Sequence, residues 1–229
     1  MLYKNIVIGY FISRENRFLA NVSINGKVEN AHVKNTGRLK ELLLPNAKVY
    51  IEDHRGCDNK RKTRYSIIAV EKDGILFNID SFAPNKIIEE AILDNKIITD
   101  LKYLKREQTY GNSRFDLYYE TTKDKGYIEV KGATLEKSNC ISFPDAKTTR
   151  GLKHVNELIK VKESGYNAMV IFVIQLKSDK PFIPNYEKDK NFCNELSIAI
   201  KKGVIVKAFY CNVTPYSITL SNEAKVLIN

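Results

Sequence analysis

Two dipeptides in the first third of the chain, Asn25-Gly26 and Asp73-Gly74, constrain the fold more than any other feature. Each lies between two runs in which apolar and β-branched residues alternate with polar ones. Such a dipeptide tolerates the positive φ angles of a two-residue turn, which matches the twist of paired strands. The N-terminal part is therefore predicted to consist of β-hairpins. We place its six strands around residues 5–12, 17–24, 27–33, 47–52, 63–71 and 74–80.

One predicted helical turn, at residues 36–43, interrupts this series of strands. Five or six strands with a helix inserted there fit a small closed barrel of the oligonucleotide-binding type. Such barrels stack bases on aromatic side chains and follow phosphates with cations. The candidates for these contacts are Arg14, Arg17, Phe18, Lys34, Arg38, Lys60, Arg61, Lys62, Arg64 and Tyr65. The alternative is that the two aromatic residues belong to the core and that residues 60–64 form a solvated loop.

A second domain is predicted to begin near Pro84-Asn85, which follows the last of these strands and precedes a helix at 86–93. A chain of 229 residues exceeds a typical domain of about 100 to 150 residues. The later pattern alternates helices and strands and includes a nearly continuous apolar run at 168–175, typical of a covered central strand. We therefore expect an α+β chain of two domains, with a barrel at 1–83 and an α/β domain with a mixed sheet at 84–229.

A predicted strand pair carries the strongest candidate site. Asp116 lies on one face of the strand 114–119, and Glu129 and Lys131 share a face of the next strand. Two carboxylates at this separation can share a divalent cation with a phosphate oxygen, and an adjacent ammonium can position a water molecule. The same spacing also fits a solvated strand face with a cross-strand ion pair.

Two flanking segments with helical spacing add further groups. Residues 98–107 are predicted to form a helix that ends at Glu107, from where its carboxylate reaches the same site. A second helix would begin at Asp145, Thr148 or Thr149 and run to about Gly165. Its polar face, apart from the apolar stripe, carries Arg150, Lys153, His154 and Glu157. This face suits a phosphate backbone, and it equally suits plain exposure to solvent.

Several motifs, in this order, resemble the sugar fermentation stimulation protein family of bacteria and archaea. They are Asn16-Arg17-Phe18, the run from His32 to Arg38, the run from Glu107 to Asp116, Glu129-Val130-Lys131, Phe143-Pro144-Asp145-Ala146, Thr149-Arg150-Gly151 and His154. The resemblance spans almost the whole chain, and the combination is specific although each motif alone is weak. It implies an oligonucleotide-binding barrel joined to a PD-(D/E)xK, restriction-endonuclease-like domain. It also implies nucleic-acid binding, with a family name that reflects an effect on sugar metabolism and not a sugar substrate.

The resemblance further implies roles for individual residues. Asp116 and Glu129 would bind Mg²⁺ or Mn²⁺, Lys131 would orient or activate water, and Glu107 would be an auxiliary acidic group. The nuclease pattern has Pro before its first Asp, whereas Phe115 occupies that position here. We interpret the literal Pro144-Asp145 as the start of a helix, because Pro fixes its own φ and disfavours helix in the residue before it.

The charge balance favours an anionic partner. The net charge is +10, and residues 1–83, with 14 Lys and Arg against 9 Asp and Glu, carry half of the excess. We expect DNA, single- or double-stranded, bound with low sequence specificity by Arg14, Arg17, Phe18, Lys34, Arg38, Arg150, Lys153 and His154. A membrane is not an expected partner, because the chain has no basic amphipathic helix with a large apolar face and no lipidation signal. Homodimer formation is left open.

Cysteine usage predicts a cytoplasmic protein. Cys57, Cys140, Cys193 and Cys211 show no CxxC spacing, and the N-terminus has no secretory signal pattern. The chain is thus interpreted as a cytoplasmic DNA-binding protein with a divalent-metal-dependent phosphodiesterase, or nuclease, site. The alternative is a transcriptional regulator of sugar metabolism that retains the nuclease scaffold without turnover. No residue constellation supports a sugar-metabolising enzyme, and the sequence leaves the choice between DNA and RNA open.

Overall fold

The structure is a computed structural model that describes residues 1–35, 37–56 and 62–228. Its residues form two compact units. The first comprises Met1–Ala83 with the short segments Gln175–Lys177 and Cys211–Thr219, and the second comprises the remainder. The single boundary expected after residue 83 thus omits two later segments that pack with the first unit. Among the expected groups of the barrel, Lys60 and Arg61 lie outside the described residues, as do Thr36 and Cys57.

The first unit is a closed barrel of the oligonucleotide-binding type. Its strands are β1 (Ile6–Arg14), β2 (Leu19–Ile24), β3 (Lys27–Val33), β4 (Lys48–Asp53), β5 (Tyr65–Lys72) and β6 (Ile75–Asn78). They are ordered β3-β2-β1-β4-β5-β6, and a parallel pairing of β3 with β5 closes the barrel. All six strands coincide with the predicted ones. The predicted helical turn is observed at residues 39–43, where the N–H groups of Leu42 and Leu43 donate to the carbonyl oxygen of Leu39.

Local chemistry explains the barrel's shape. Asn25 and Gly26 have φ angles of 49° and 76°, and Asp73 and Gly74 have 50° and 76°, as two-residue hairpin turns require. Gly9 lies inside the barrel, where a Cβ atom would be 2.8 Å from Ile51 Cδ1. Only glycine fits this close approach.

The two later segments are bonded to the first one. The N–H group of Tyr3 donates to the carbonyl oxygen of Tyr216 at 2.8 Å, and the Gln175 amide donates to Asn78 Oδ1 at 2.9 Å. Because these are backbone and buried polar contacts, residues 175–177 and 211–219 are structural parts of this unit and not loops laid on its surface.

The second unit is an α/β domain built on a mixed six-stranded sheet. Its strands are β7 (Leu101–Tyr110), β8 (Ser113–Thr121), β9 (Lys125–Ala133), β12 (Asn167–Ile174), β14 (Ile205–Thr214) and β15 (Ser217–Ala224), in the order β15-β14-β12-β9-β8-β7. β9, β12 and β14 are parallel, whereas β7, β8 and β9 form an antiparallel meander. A small second sheet is formed by β10 (Leu135–Glu136), β11 (Ile141–Phe143) and β13 (Phe182–Pro184).

Three helices accompany these sheets in the described residues: α1 (Ala83–Leu93), α2 (Thr149–Glu163) and α3 (Lys190–Lys201). α2 packs against α3 and against β8, β9 and β12. Residues 168–174 of β12 are buried along their whole length, as expected for a central strand covered on both faces. This packing sets one face of α2 over the strands that carry the predicted carboxylates. No helix within the described ranges combines the length and the apolar composition needed to cross a membrane.

Candidate metal centre and nucleic-acid surface

Asp116 is fixed at both of its carboxylate oxygens. β8 and β9 are antiparallel with Leu117 opposite Ile128, so the next step of the same register sets Asp116 opposite Glu129. Asp116 Oδ2 accepts a hydrogen bond from the N–H group of Val130 at 2.8 Å, and Oδ1 accepts one from the Asn85 amide of α1 at 2.8 Å. The carboxylate is therefore held beside the Glu129 strand by the backbone and by a second element.

Glu129 has one bonded oxygen and one free oxygen. Its side chain is 2% exposed. Oε1 accepts hydrogen bonds from Lys131 Nζ and from Nδ1 of His154 on α2. Oε2 is buried and, within the part of the chain that the structure describes, has no hydrogen-bond partner. A buried carboxylate oxygen without a partner is costly, and a bound cation would remove that cost.

The two carboxylates respond to different surroundings. Burial, followed by the nearby charge of Glu129, raises the pKa of Asp116 above its usual value. Burial also acts to raise the pKa of Glu129, but the hydrogen bond from His154 and the charge of Lys131 outweigh it and lower that pKa overall. Glu129 is therefore the more firmly ionised member of the pair.

These residues fit a magnesium-type ion better than a zinc ion. No group of three or more His, Cys, Asp or Glu side chains placed to hold a metal occurs in residues 1–35, 37–56 or 62–228. Asp116 and Glu129 offer two carboxylates. Mg²⁺ is usually bound by one or two carboxylates together with water and substrate phosphate. A structural zinc site would need four protein ligands.

Glu107 does not lie at a helix end. Residues 101–110 form β7, so the predicted helix over 98–107 is wrong. Glu107 falls between the pairs Arg106–Leu117 and Gln108–Phe115, across from Asp116, but its carboxylate bonds Arg114 at 2.9 Å and is 57% exposed. The N-terminus of α2 is close to the prediction. Thr148, one of its three candidates, caps the helix, and Asp145 lies exposed in the preceding turn.

The residues of the predicted polar face of α2 lie partly in solvent and partly in the core. Arg150 and Lys153 are exposed, and Lys153 Nζ donates to the carbonyl oxygen of Asn112 at 2.6 Å. His154 and Glu157 are buried, with 5% and 7% exposure. The expectation that His154 faces a phosphate backbone is therefore wrong, because its ring is packed inward and bonded to Glu129.

The predicted cations of the barrel also separate into two groups. Arg14 is bonded to backbone carbonyl groups, and Lys34 Nζ pairs with the fully buried Asp80 at 3.0 Å. These contacts disagree with the expectation that both residues bind phosphate. Arg17, Phe18 and Arg38 are exposed, with Phe18 at 51%. Tyr65 is a core residue at 5% exposure, as the alternative interpretation held.

Two residues that bond the candidate metal-binding carboxylates were missed in the sequence. Asn85 was interpreted only as part of a helix start, although it bonds Asp116 across 31 residues of chain. His154 was assigned to the exposed face of α2. Its position one residue before the buried Val155 was the available signal, since the buried stripe of a helix is wide enough to include a neighbour.

Comparisons with known proteins cover the whole chain. Residues 12–79 match the family model "SfsA N-terminal OB domain", and residues 82–217 match "Sugar fermentation stimulation protein RE domain". A sugar fermentation stimulation protein homolog of Clostridium beijerinckii is 48% identical over 100% of both chains. One of Alkaliphilus oremlandii is 46% identical over 99% of this chain and 98% of its own. The solved structure of Pyrococcus furiosus SfsA in complex with Ca²⁺ is 30% identical, with a TM-score of 0.88 over 100% of this chain and 98% of the other.

Proposed function

Because the chain belongs to the sugar fermentation stimulation protein family, we propose that it binds DNA and that its α/β domain is a divalent-metal-dependent phosphodiesterase. The main support is Glu129 Oε2, a buried carboxylate oxygen without a partner among the described residues, on the strand next to Asp116. The Ca²⁺ in the solved Pyrococcus furiosus relative is consistent with a divalent cation in this family.

Asp116 and Glu129 would hold Mg²⁺ or Mn²⁺. When bound, such a cation neutralises charge on the scissile phosphate and lowers the pKa of a water molecule. Lys131 Nζ, bonded to Glu129 Oε1 and 17% exposed as a side chain, can donate to a water molecule and stabilise negative charge. His154 keeps Oε1 occupied, so that Oε2 is the oxygen left for the cation.

Binding of the polynucleotide falls to residues outside this centre. Arg150 and Lys153 are exposed on the N-terminal half of α2, and Arg17, Phe18 and Arg38 are exposed on the barrel. Cations follow phosphates and an aromatic ring stacks on a base, which together provide binding with little sequence preference. Glu107, paired with Arg114 on the strand position opposite Asp116, is assigned an auxiliary acidic role.

The test compares wild type with the double variant Asp116→Asn, Glu129→Gln, which keeps side-chain size but removes both charges. Labelled single-stranded, duplex and branched DNA and RNA are incubated with Mg²⁺, Mn²⁺ or EDTA, and binding is scored beside cleavage. The matched control, Asp145→Asn with Glu187→Gln, removes two charges from exposed turn positions. Cleavage by wild type and control, but not by the double variant or in EDTA, is the expected result.

Other outcomes have distinct meanings. Cleavage that survives in the double variant would place the active site elsewhere. Salt-sensitive binding without cleavage by any protein would overturn the enzyme and favour the transcriptional regulator that keeps the nuclease scaffold. Lys131→Ala should abolish cleavage while binding is retained, because Lys131 would position the attacking water molecule and would not bind the polynucleotide.

A further inference from the structure

Arg14, at the end of β1, is bonded to the backbone on every arm of its guanidinium group. Nη1 and Nη2 each donate two hydrogen bonds and Nε donates one, over donor–acceptor distances of 2.5 to 3.2 Å. The five acceptors are the carbonyl oxygens of Asn16, Arg17, Asn35, Gly37 and Arg38. A planar fork of donors is suited to hold several fixed acceptors at once, and a lysine in its place could not do so.

These acceptors belong to two separate loops. The first loop, residues 15–18, joins β1 to β2, and the second loop, described at residues 34, 35, 37 and 38, follows β3. Each loop has its own internal bond: Asn16 Oδ1 accepts from the N–H group of Phe18 at 2.8 Å, and Asn35 Oδ1 accepts from that of Gly37 at 2.8 Å. These local bonds do not join the two loops to each other. Arg14 does, because its single guanidinium group bonds both loops.

The side chains that the two loops present are exposed. Arg17 and Phe18 lie on the first loop and Arg38 on the second, and Phe18 is 51% exposed at a turn. Two cations with one aromatic ring between strand ends are the groups that bind a flexible polynucleotide, by phosphate contact and base stacking. Stacking on the half-exposed ring of Phe18 requires a base with an open face. In a duplex, the faces of the bases are covered by the neighbouring bases.

We infer that Arg14 is a positioning residue that holds Arg17, Phe18 and Arg38 together as one contact surface for single-stranded nucleic acid. Arg14 does not touch the ligand, because its donors are already used by the two loops. Fixing the loops before binding reduces the ordering cost that three mobile side chains would otherwise impose. The inference rests on the proposed nucleic-acid binding and is independent of the proposed cleavage.

The experiment uses the full chain in EDTA, which prevents metal-dependent cleavage, with a labelled oligo-dT of about 15 nucleotides, near the upper site size of such barrels. Arg14→Lys keeps the charge but not the fork. Arg55→Lys is the matched control, because it makes the same replacement at an exposed arginine of the barrel that lies outside both loops. Affinity is measured by fluorescence anisotropy at several salt concentrations, and hydrogen exchange is measured in peptides that cover both loops.

Arg14→Lys should weaken binding about tenfold without changing the salt dependence, since ordering is lost and charge is kept. It should also speed hydrogen exchange in both loops while the urea midpoint of global unfolding changes little. Arg55→Lys should change affinity less than about twofold. Arg17→Ala and Arg38→Ala should each flatten the logarithmic salt slope by about 0.7, the value for one contact with a single strand.

Four results would overturn the inference. Binding by Arg14→Lys equal to that of Arg55→Lys would show that the Arg14 bonds do not support the contact surface. Faster loop exchange with unchanged affinity would give Arg14 a structural role alone. Equal affinity of wild type for a duplex of the same length would overturn the single-strand assignment. If wild type binds no oligonucleotide in EDTA, the surface is wrong, whereas the cleavage test is decided separately in the presence of metal.

Discussion

At the scale of single residues, the site depends on two carboxylates whose surroundings act in opposite directions. Burial raises the pKa of Asp116, and the hydrogen bond from His154 and the charge of Lys131 lower that of Glu129 despite burial. Such separation is common where charges are arranged for chemistry and not for stability. The fold therefore carries a destabilising charge at Asp116 that a cation would relieve.

Replacing Asp116 with Asn should make the stability of the protein less dependent on pH. A folded-state pKa above the ordinary value of 3.8 means that folding disfavours the ionised form, so wild type loses stability as pH rises from the ordinary pKa to the raised one. The variant cannot ionise, so its thermal midpoint relative to that of wild type should rise between the ordinary aspartate pKa and pH 7. Its amide nitrogen would face one of the two donors that Asp116 accepts from, the Val130 N–H group or the Asn85 amide, which adds a loss of stability that does not depend on pH. Calorimetry across this pH range checks the sign, with Asp145→Asn, in an exposed turn, as the control.

Replacing His154 with Ala should weaken divalent-cation binding by about ten- to a hundredfold, the usual effect of removing a partner that orients a ligand. Glu129 Oε1 would keep only Lys131, so the carboxylate would turn more freely. The Mn²⁺ concentration that gives a half-maximal rise in thermal midpoint measures the effect without activity. Asn156→Ala on the same helix should not change that concentration, and an unaltered value for His154→Ala would contradict the role.

The alternation of apolar and polar residues along two strands was enough to predict that Asp116, Glu129 and Lys131 lie together. A period of two determines which side chains share a face. The partners of these residues come from other elements. His154 and Asn85 lie 25 and 31 residues away in the chain from the carboxylates they bond. Contacts of this length depend on how helices pack on the sheet, which a local pattern does not contain.

At the scale of elements, α2 is the helix whose placement matters most, since its His154 bonds Glu129 and its Arg150 is exposed to solvent. Its N-terminus is capped by Thr148, whose Oγ1 accepts from the N–H group of Gly151 at 3.0 Å. Capping satisfies a donor that the first turn of a helix otherwise leaves unpaired.

Thr148→Ala should therefore destabilise the protein by about 0.5–2 kcal/mol. The adjacent Thr149→Ala is the matched control, because Thr149 is exposed and lies inside the helix. Urea unfolding of the two variants measures the difference in free energy of unfolding. Equal losses for both would mean that the cap contributes nothing beyond the loss of a threonine.

Regular elements were predictable and irregular ones were not. β12 and α2 follow uninterrupted apolar periods and were predicted within a few residues. β7 was taken for a helix because its pattern is broken: the register shifts between Leu101 and Tyr103, and Glu107 has a φ angle of 55°. Such interruptions displace the apolar residues from alternate positions and produce spacing that resembles a helix. The short strands β10, β11 and β13, and the final strand β15, were not predicted.

At the scale of the whole molecule, the chain forms two units, and only the boundary near residue 83 could be predicted from the sequence. Residues 175–177 and 211–219 rejoin the barrel unit after most of the second unit has been completed. A change in composition near Pro84 could indicate where the first segment ends. It could not indicate that two short later segments return, because nothing in their composition differs from their surroundings.

Three thiols provide a probe of global opening. Cys140, Cys193 and Cys211 are buried, and burial, together with Asp189, raises the pKa of Cys193 to about 12 from 9.0. A raised pKa lowers the fraction of reactive thiolate near neutral pH. In a Cys57→Ser background, alkylation near neutral pH should be slow and should accelerate only as urea approaches the unfolding midpoint. Rapid labelling of native protein would show that this burial is incomplete in solution.

The return of residues 175–177 and 211–219 to the barrel unit also has a consequence during synthesis. The ribosome must add roughly 130 residues after Ala83 before the last segment of that unit exists, which takes on the order of ten seconds at usual elongation rates. Throughout this interval the N-terminal strands lack their final partners. A chain that stops before residue 211 would thus lack one segment of the barrel unit, even though all six of its strands had been made.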